Sequence, residues 1–338
     1  MKNIDWKNMA FAYEPTDYSY QAKYSDGKWT EGELVTDKNI SINECAGVLQ
    51  YAQTCFEGLK AYRTVQGKVV LFRPDLNARR MKDSCERLCM AIYPENDFVN
   101  AVLKTVRANI DWVPPYDTGA TMYVRPLMIG SAPVLGVKPS SEYLFRVFGT
   151  PVGPYFRGGI RPLRLKISDY DRAAPRGTGH VKGGLNYAMS IYPVQIAHKE
   201  GFDENLYLDA ATRTHVEETG GANVLFVTGD GTVVTPKSDS ILPGITRRSL
   251  MYVAKEYLGL KCEERPVALE ELKDMKECGL CGTAAVLSPV GSVVNGATEY
   301  TFDISDGNMG PTLRKLRETL NGMKLGMIEA PEGWIYTV

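Results

Sequence analysis

The run Gly177-Thr178-Gly179-His180-Val181-Lys182-Gly183-Gly184-Leu185-Asn186-Tyr187-Ala188 sets a single lysine among glycines, with a polar Asn-Tyr pair one helical turn later. Glycines on both sides of a charged residue imply that something bulky comes close to the backbone, since glycine alone has no Cβ in the way. Lysine is also the side chain that forms Schiff bases with carbonyl cofactors, and desolvation or a nearby cation lowers its pKa enough to make it a nucleophile. A glycine-rich turn carrying a solvated lysine has the same local sequence. The segment alone leaves both readings open.

Working outward, 338 residues suit about two domains. The 44% hydrophobic and 23% charged content is that of an ordinary globular chain. A net charge of −1 gives no electrostatic footprint for nucleic acid or an anionic membrane. No apolar run approaches the roughly 20 residues that span a bilayer. The N-terminus mixes Lys2, Asp5, Lys7 and Glu14 with aromatics and lacks the apolar core of a signal peptide. Seven scattered cysteines point to reduced thiols in a cytoplasmic chain rather than to a disulfide framework.

The pattern predicts α/β architecture in two domains, with no internal repeat. Val69-Val70-Leu71-Phe72 reads as a strand, and Arg73-Pro74-Asp75 as a turn with proline at a helix start. Leu76, Met81, Cys85 and Leu88 recur at helical spacing, with Arg79 and Arg80 in the first turns. Residues 101–112 read as a second helix stopped by Pro114-Pro115. Residues 121–129 read as a strand that Pro126 places near an edge or bulge, and residues 142–149 as another. Gly, Pro and Arg concentrate between Pro151 and Arg164, which suggests a linker. Beyond it, helices are expected at 189–199, 246–258 and 310–321, and strands at 204–209, 222–228 and 283–290. The expected division is an N-terminal α/β domain at 1–156, a linker at 157–170, and a C-terminal domain at 171–338 carrying the lysine.

If Lys182 works with pyridoxal phosphate, the cofactor's phosphate needs a guanidinium or a helix N-terminus, and its ring nitrogen needs a partner. Arg80 follows a strand and turn. Thr246 opens a helix after Leu242-Pro243-Gly244-Ile245, so backbone N–H groups there suit an anion. Thr283 adds a hydroxyl after Gly282, and Glu218 stands just before a glycine pair and a strand.

These residues, with others along the chain, resemble the branched-chain amino acid aminotransferases, pyridoxal-phosphate enzymes of fold type IV. The resemblance runs from about Phe11 to Val290. It is carried by Leu49-Gln50-Tyr51 through Phe56-Glu57-Gly58-Leu59-Lys60-Ala61-Tyr62, by Leu71-Phe72-Arg73-Pro74-Asp75-Leu76-Asn77-Ala78-Arg79-Arg80-Met81, and by Tyr123-Val124-Arg125-Pro126. Gly153-Pro154-Tyr155-Phe156, Leu242-Pro243-Gly244-Ile245-Thr246 and Gly282-Thr283-Ala284 complete it, all in the family's order. It implies Lys182 as the Schiff-base lysine, moving a proton between the substrate Cα and the cofactor's C4′. It implies Glu218 on the pyridine nitrogen, Tyr187 on the phenolate oxygen, and the phosphate against Arg80, the amides of Ile245 and Thr246, and Thr283. Phe11, Phe56, Tyr123, Tyr155 and Tyr187 would line an apolar pocket. Tyr51 and the amides of Thr283 and Ala284 would hold the α-carboxylate, with Arg125 facing the side-chain carboxylate of glutamate. The substrates implied are branched-chain L-amino acids and 2-oxoglutarate, and the assembly implied is a homodimer.

Two positions depart from the family pattern: Leu185 replaces a glycine, and Gly221 stands where a threonine is usual. Rivals within the fold are a D-amino acid aminotransferase and an aminodeoxychorismate lyase. A nucleotide- or phosphosugar-binding protein is the rival from another class, although no G-x-G-x-x-G or P-loop is present. Cys278 and Cys281 form a C-x-x-C without a second ligand pair for zinc, and the three histidines are too dispersed for a triad. No metal site is assigned.

Overall fold

The computed structural model describes Lys2 and residues 4–153 and 159–338, which form two compact units. The first comprises Met1–Tyr155, Val181–Gly184 and Gly322–Val338; the second comprises Phe156–His180 and Leu185–Asn321. The units are therefore not the contiguous halves expected. Lys182 belongs to the first through the short segment Val181–Gly184, although the chain up to His180 and from Leu185 onward belongs to the second.

The first unit contains β1 (Ser19–Ser25), β2 (Lys28–Trp29), β3 (Glu33–Val35), β4 (Thr54–Phe56), β5 (Leu59–Arg63), β6 (Val69–Phe72), β7 (Thr121–Gly130) and β8 (Tyr143–Val152). Its helices are α1 (Gly47–Tyr51), α2 (Pro74–Arg87) and α3 (Glu95–Ala108). The second contains β9 (Leu163–Ile167), β10 (Glu204–Leu208), β11 (Val216–Thr219), β12 (Asn223–Thr228), β13 (Val233–Pro236), β14 (Cys262–Arg265), β15 (Met275–Gly282), β16 (Val286–Asn295) and β17 (Thr298–Thr301). The later helices are α4 (Gly184–Lys199), α5 (Ile245–Glu256) and α6 (Pro311–Lys324), and β18 (Ile335–Thr337) returns to pair with β6.

The first sheet is antiparallel, in the order β18-β6-β5-β7-β8-β1-β2, with β3 on β1 and β4 on β7. Side chains alternate across a strand, so β7 sends Met122, Val124 and Met128 into the core and turns Tyr123 and Arg125 to the opposite face. β4 repeats the division, with Cys55 in the core and Phe56 on the other side. α2 and α3 cover the core face through Ala78, Met81, Cys85, Phe98, Ala101 and Val102. α2 starts where expected, with Pro74 in its first turn and Asp75 favouring the N-terminal dipole.

Pro126 does not mark an edge, because β7 pairs with β8 on one side and with β4 and β5 on the other. Proline is accommodated because the ladder breaks opposite it, between Phe56 and Leu59. There the Pro126 carbonyl accepts the Glu57 N–H at 2.7 Å. Other boundaries also move. The helix expected at 101–112 begins at Glu95 and ends in a short 3₁₀ turn over Ile110–Trp112, and α4 begins at Gly184. The strand expected at 283–290 is the hairpin β15–β16, with residues 283–285 as its turn.

The second sheet runs β11-β10-β9-β16-β15-β12-β13-β14, and β11 also pairs with β12, so six strands close on themselves. Leu165, Leu206, Val224, Phe226, Val290 and Val293 belong to its core. Among the described residues, no helix is long and apolar enough to cross a membrane.

Phe145 is fully buried, stacks on Tyr93 at 4.1 Å between ring centroids and adjoins Phe98. Phe145→Ala is expected to lower stability by about 3–5 kcal/mol. Urea denaturation followed by fluorescence checks this, and an unchanged midpoint would show that the cluster does not hold the first unit together.

Candidate active site

In the first unit, α2 presents a buried polar stripe, Asn77, Arg80 and Ser84, one helical face away from its apolar one. Arg80 meets Glu57 bidentately, with Nε to Oε1 and Nη2 to Oε2 both at 2.7 Å. Glu57 is fully buried and also accepts from Asn77 Nδ2 at 2.7 Å. Four donors thus serve one carboxylate, since the Gly58 N–H reaches Oε2 at 3.2 Å.

The Lys182 backbone is fastened to this frame. Its N–H donates to Ser84 Oγ at 3.2 Å, and its carbonyl accepts from the Phe56 N–H at 3.0 Å. Gly183 bridges to Cys55, and a Cβ on Gly184 would lie 3.2 Å from Thr54. The close approach that the flanking glycines imply is clearest at Gly179, where a Cβ would come within 2.1 Å of the Ser240 carbonyl.

Lys182 Nζ lies 4.9 Å from the centre of the Phe56 ring. The Arg125 guanidinium sits over Phe56 at 4.6 Å and over Tyr123 at 5.2 Å, and donates to the Tyr123 hydroxyl at 3.0 Å. Phe11 packs edge-on against Tyr123 at 5.9 Å. Gly58 is required here, because a Cβ would fall 2.0 Å from the Tyr123 hydroxyl. Arg125 Nε is buried without a hydrogen-bond partner among the described residues. Burial first, and then the Arg80 guanidinium, bring the Lys182 ammonium down to about 8. Arg125 acts in the same direction, while Glu57 and Tyr123 oppose it. The amine is therefore neutral and nucleophilic from about pH 8 upward, rather than above 10. The Tyr51 hydroxyl donates to the Leu135 carbonyl. Tyr155 lies outside the described residues.

In the second unit, Glu218 on β11 is buried. Its Oε1 accepts the Leu242 N–H and meets Arg172 Nη2, both at 2.9 Å, and its Oε2 accepts from Asn223 Nδ2 at 2.6 Å. Burial pushes this carboxyl up, while Arg172 and the Leu242 N–H pull it down. Gly244 caps α5 without a side-chain hydrogen bond, and the first N–H groups of a helix, here including those of Ile245 and Thr246, are of the kind that suits an anion. Thr283 and Ala284 lie half-buried in the β15–β16 turn. That turn ends on Val286 at φ 67°, a conformation β-branched residues avoid. Gly282 borders Gly221 and Ala222, and Asn223 pairs with Cys281 in the ladder, so the Glu218 hairpin and the Thr283 turn adjoin. Tyr187 is half-buried in the first turn of α4. A Cβ on Gly221 would meet nothing within 4 Å, so the missing threonine leaves open space.

The C-x-x-C pair falls on β15, where residues three apart face opposite sides. Both thiols are buried, Cys281 pushed up to about 12 and Cys278 also raised, so neither offers a thiolate for redox exchange.

A family model for Amino-transferase class IV matches residues 54–293. The chain belongs to that family. This class IV aminotransferase is 48% identical to the branched-chain-amino-acid aminotransferase of Haemophilus influenzae, covering all of both chains. It is 46% identical to that of Helicobacter pylori, over 100% of this chain and 99% of the relative. Among solved structures, it matches the branched-chain amino acid aminotransferase of Escherichia coli with a TM-score of 0.78 and 26% identity, over 95% and 98% of the two chains. The T.th. branched-chain amino acid aminotransferase with pyridoxamine 5′-phosphate gives 0.79 and 26%, with the same coverage. These likenesses bear out the expected α/β fold type IV.

Sequence reasoning missed Glu57, Asn77, Ser84, Arg172 and Asn223. Asn77, Arg80 and Ser84 carry a readable signal, since their i, i+3, i+7 spacing beside the apolar stripe marks a polar face. In cofactor-free protein, the acylation rate of Lys182 against pH should reach half its plateau near pH 8. Arg125→Gln should move that midpoint upward by removing a cation. A midpoint above pH 10 in the parent would contradict the electrostatics described.

Proposed function

We propose that this class IV aminotransferase moves amino groups between branched-chain L-amino acids (leucine, isoleucine and valine) and 2-oxoglutarate, giving branched-chain 2-oxo acids and L-glutamate. Its cofactor is pyridoxal 5′-phosphate. The observation that carries the reading is Lys182, an amine brought down to about 8 among Arg80, Arg125 and aromatic rings. The residues fit the cofactor's chemistry. A nucleophilic amine suits its aldehyde, a helix N-terminus without a side-chain cap suits its phosphate, and a buried carboxylate suits its ring nitrogen. When bound, pyridoxal phosphate supplies an aldehyde carbon that condenses with amines and a ring that takes up the electron pair of the substrate Cα.

In this reading, Lys182 takes the proton from the substrate Cα. Glu218 keeps the ring nitrogen protonated, and Tyr187 donates toward the phenolate oxygen. Arg80, the amides of Ile245 and Thr246, and Thr283 hold the phosphate. Phe11, Phe56 and Tyr123 bury an aliphatic side chain, worth about 1.5–3 kcal/mol. Tyr155 is assigned to the same wall from the sequence. Arg125, with its unpaired Nε, admits the second carboxylate of glutamate. Tyr51 and the Thr283 and Ala284 amides are assigned to the α-carboxylate. The names of the relatives favour this reading over a D-amino acid aminotransferase or an aminodeoxychorismate lyase.

The protein is further proposed to work in the cytoplasm, where its seven free thiols stay reduced, and to do so as a homodimer. α4 exposes Met189, Ile191 and Tyr192, and the segment after β7 exposes Leu135 and Val137 at 81% and 86%. Apolar surface of this kind calls for a covering partner. Light scattering should give a mass near twice the 37.4 kDa chain, and a monomer at micromolar concentration would remove that part of the reading.

The activity itself is tested with amino donors. Leucine, isoleucine and valine should support transamination to 2-oxoglutarate and D-alanine should not. Lys182→Ala should lower kcat/KM by at least about 10²–10⁴-fold, the usual contribution of a general base. It should also abolish borohydride-fixed label at that position. Parental rates in the variant, or activity confined to D-alanine, would sink the assignment.

A further inference from the structure

Asn223 joins the two features of the second unit that face the cofactor in the reading above. Only 5% exposed, it opens β12 and pairs in the ladder with Glu218. Its Nδ2 donates to Glu218 Oε2 at 2.6 Å and to the Leu242 carbonyl at 3.0 Å. The Leu242 N–H in turn donates to Glu218 Oε1 at 2.9 Å. One carboxylate, one side-chain amide and the backbone of one residue, Leu242, therefore close a ring of hydrogen bonds, with both Nδ2 protons in use. Asn223 Oδ1 sits where a Cβ on residue 244 would come within 1.8 Å, so Gly244 must stay a glycine for the ring to fit. Gly244 is the N-cap of α5, directly before the amides assigned to phosphate.

We propose that Asn223 is a positioning residue that fixes the Glu218 carboxylate to the Leu242-Pro243-Gly244 turn, setting the direction in which Glu218 accepts a ring N–H. A carboxylate accepts about four hydrogen bonds. Among the described residues, Oε1 of Glu218 accepts the Leu242 N–H and is also flanked by Arg172 Nη2, an ion pair at 2.9 Å, while Oε2 accepts from Asn223 alone. The remaining direction lies on Oε2, the oxygen that Asn223 holds. Without that donor, the carboxylate is free to rotate about its last torsion, because Leu242 and Arg172 both grip Oε1. This rests on the reading that Glu218 faces the cofactor nitrogen.

The test uses cofactor-free protein and two probes, pyridoxal phosphate and its 1-deaza analogue, which has C–H in place of the ring nitrogen. Fluorescence titration gives each dissociation constant, and thermal melting shows that each variant is folded. The parent is expected to favour pyridoxal phosphate by about ten-fold or more, the scale of a hydrogen bond to a charged group. Asn223→Asp keeps the shape but removes both N–H donors, and should bring that preference to within about two-fold. If it does not fold, Asn223→Ser serves in its place. A purely structural role would weaken both probes alike and leave the preference standing, which would overturn the proposal alone. A parent indifferent to the ring nitrogen would overturn the Glu218 reading, and this proposal with it.

Discussion

Arg80 and Glu57 are buried together, and neither is tolerable there alone. A guanidinium or carboxylate removed from water costs several kcal/mol that only a well-formed pair recovers, and removal of one partner leaves an uncompensated charge. The pair is bidentate, and Asn77 and Gly58 fill the remaining acceptor positions. Its position depends on a fault in the sheet. Pro126 cannot donate, the partner ladder breaks opposite it, and the break turns Glu57 inward toward α2. A proline that looks like an edge signal is the residue that delivers the counter-charge.

The second unit applies the same rule to an anion. Glu218 is buried on a closed sheet and kept there by Arg172, Asn223 and the Leu242 N–H. Burial drives this carboxyl up toward its neutral form, and the donors aimed at it oppose that shift. The donors come from a loop, a strand and a turn that are distant in sequence, so the carboxylate also acts as the peg around which those segments are registered.

The sequence makes the long elements plain and the local faults obscure. The proline start of α2, the apolar runs of β6 and β12, and the helix at α5 follow from periodicity and turn chemistry, and the structure has them where expected. The β15–β16 hairpin is hidden because its turn, Thr283-Ala284-Ala285, contains no turn-forming pair and runs straight into an apolar strand. The first turn of α4 is hidden because Gly183-Gly184 reads as a breaker. Of the candidate site, Lys182, Arg80 and Glu218 can be named from the sequence because they carry chemistry that a sequence shows, and Arg125 because the motif around it resembles the family's. Their supports are not. Glu57 stands beside Phe56 in sequence, and Asn223 opens an ordinary strand; only tertiary pairing assigns them work.

The discontinuous first unit has a physical consequence for Lys182. Val181–Gly184 is held by backbone bonds to Phe56 and Ser84 and by the Cys55 bridge, in the manner of a short added strand. The same β4 and α2 carry Phe56 and Arg80, while β7 carries Arg125 and Tyr123. The amine and the charges that lower its pKa are thus mounted on one scaffold. A Coulomb interaction at a few ångströms changes steeply with distance, so a nucleophile tuned by cations needs them fixed relative to it. Arg80 is neutralised locally by Glu57 yet still lowers Lys182, and Arg125 adds to the effect without an acidic partner of its own among the described ion pairs. The balance leaves the amine half-deprotonated near pH 8, with one of the two cations that lower it paired to a carboxylate.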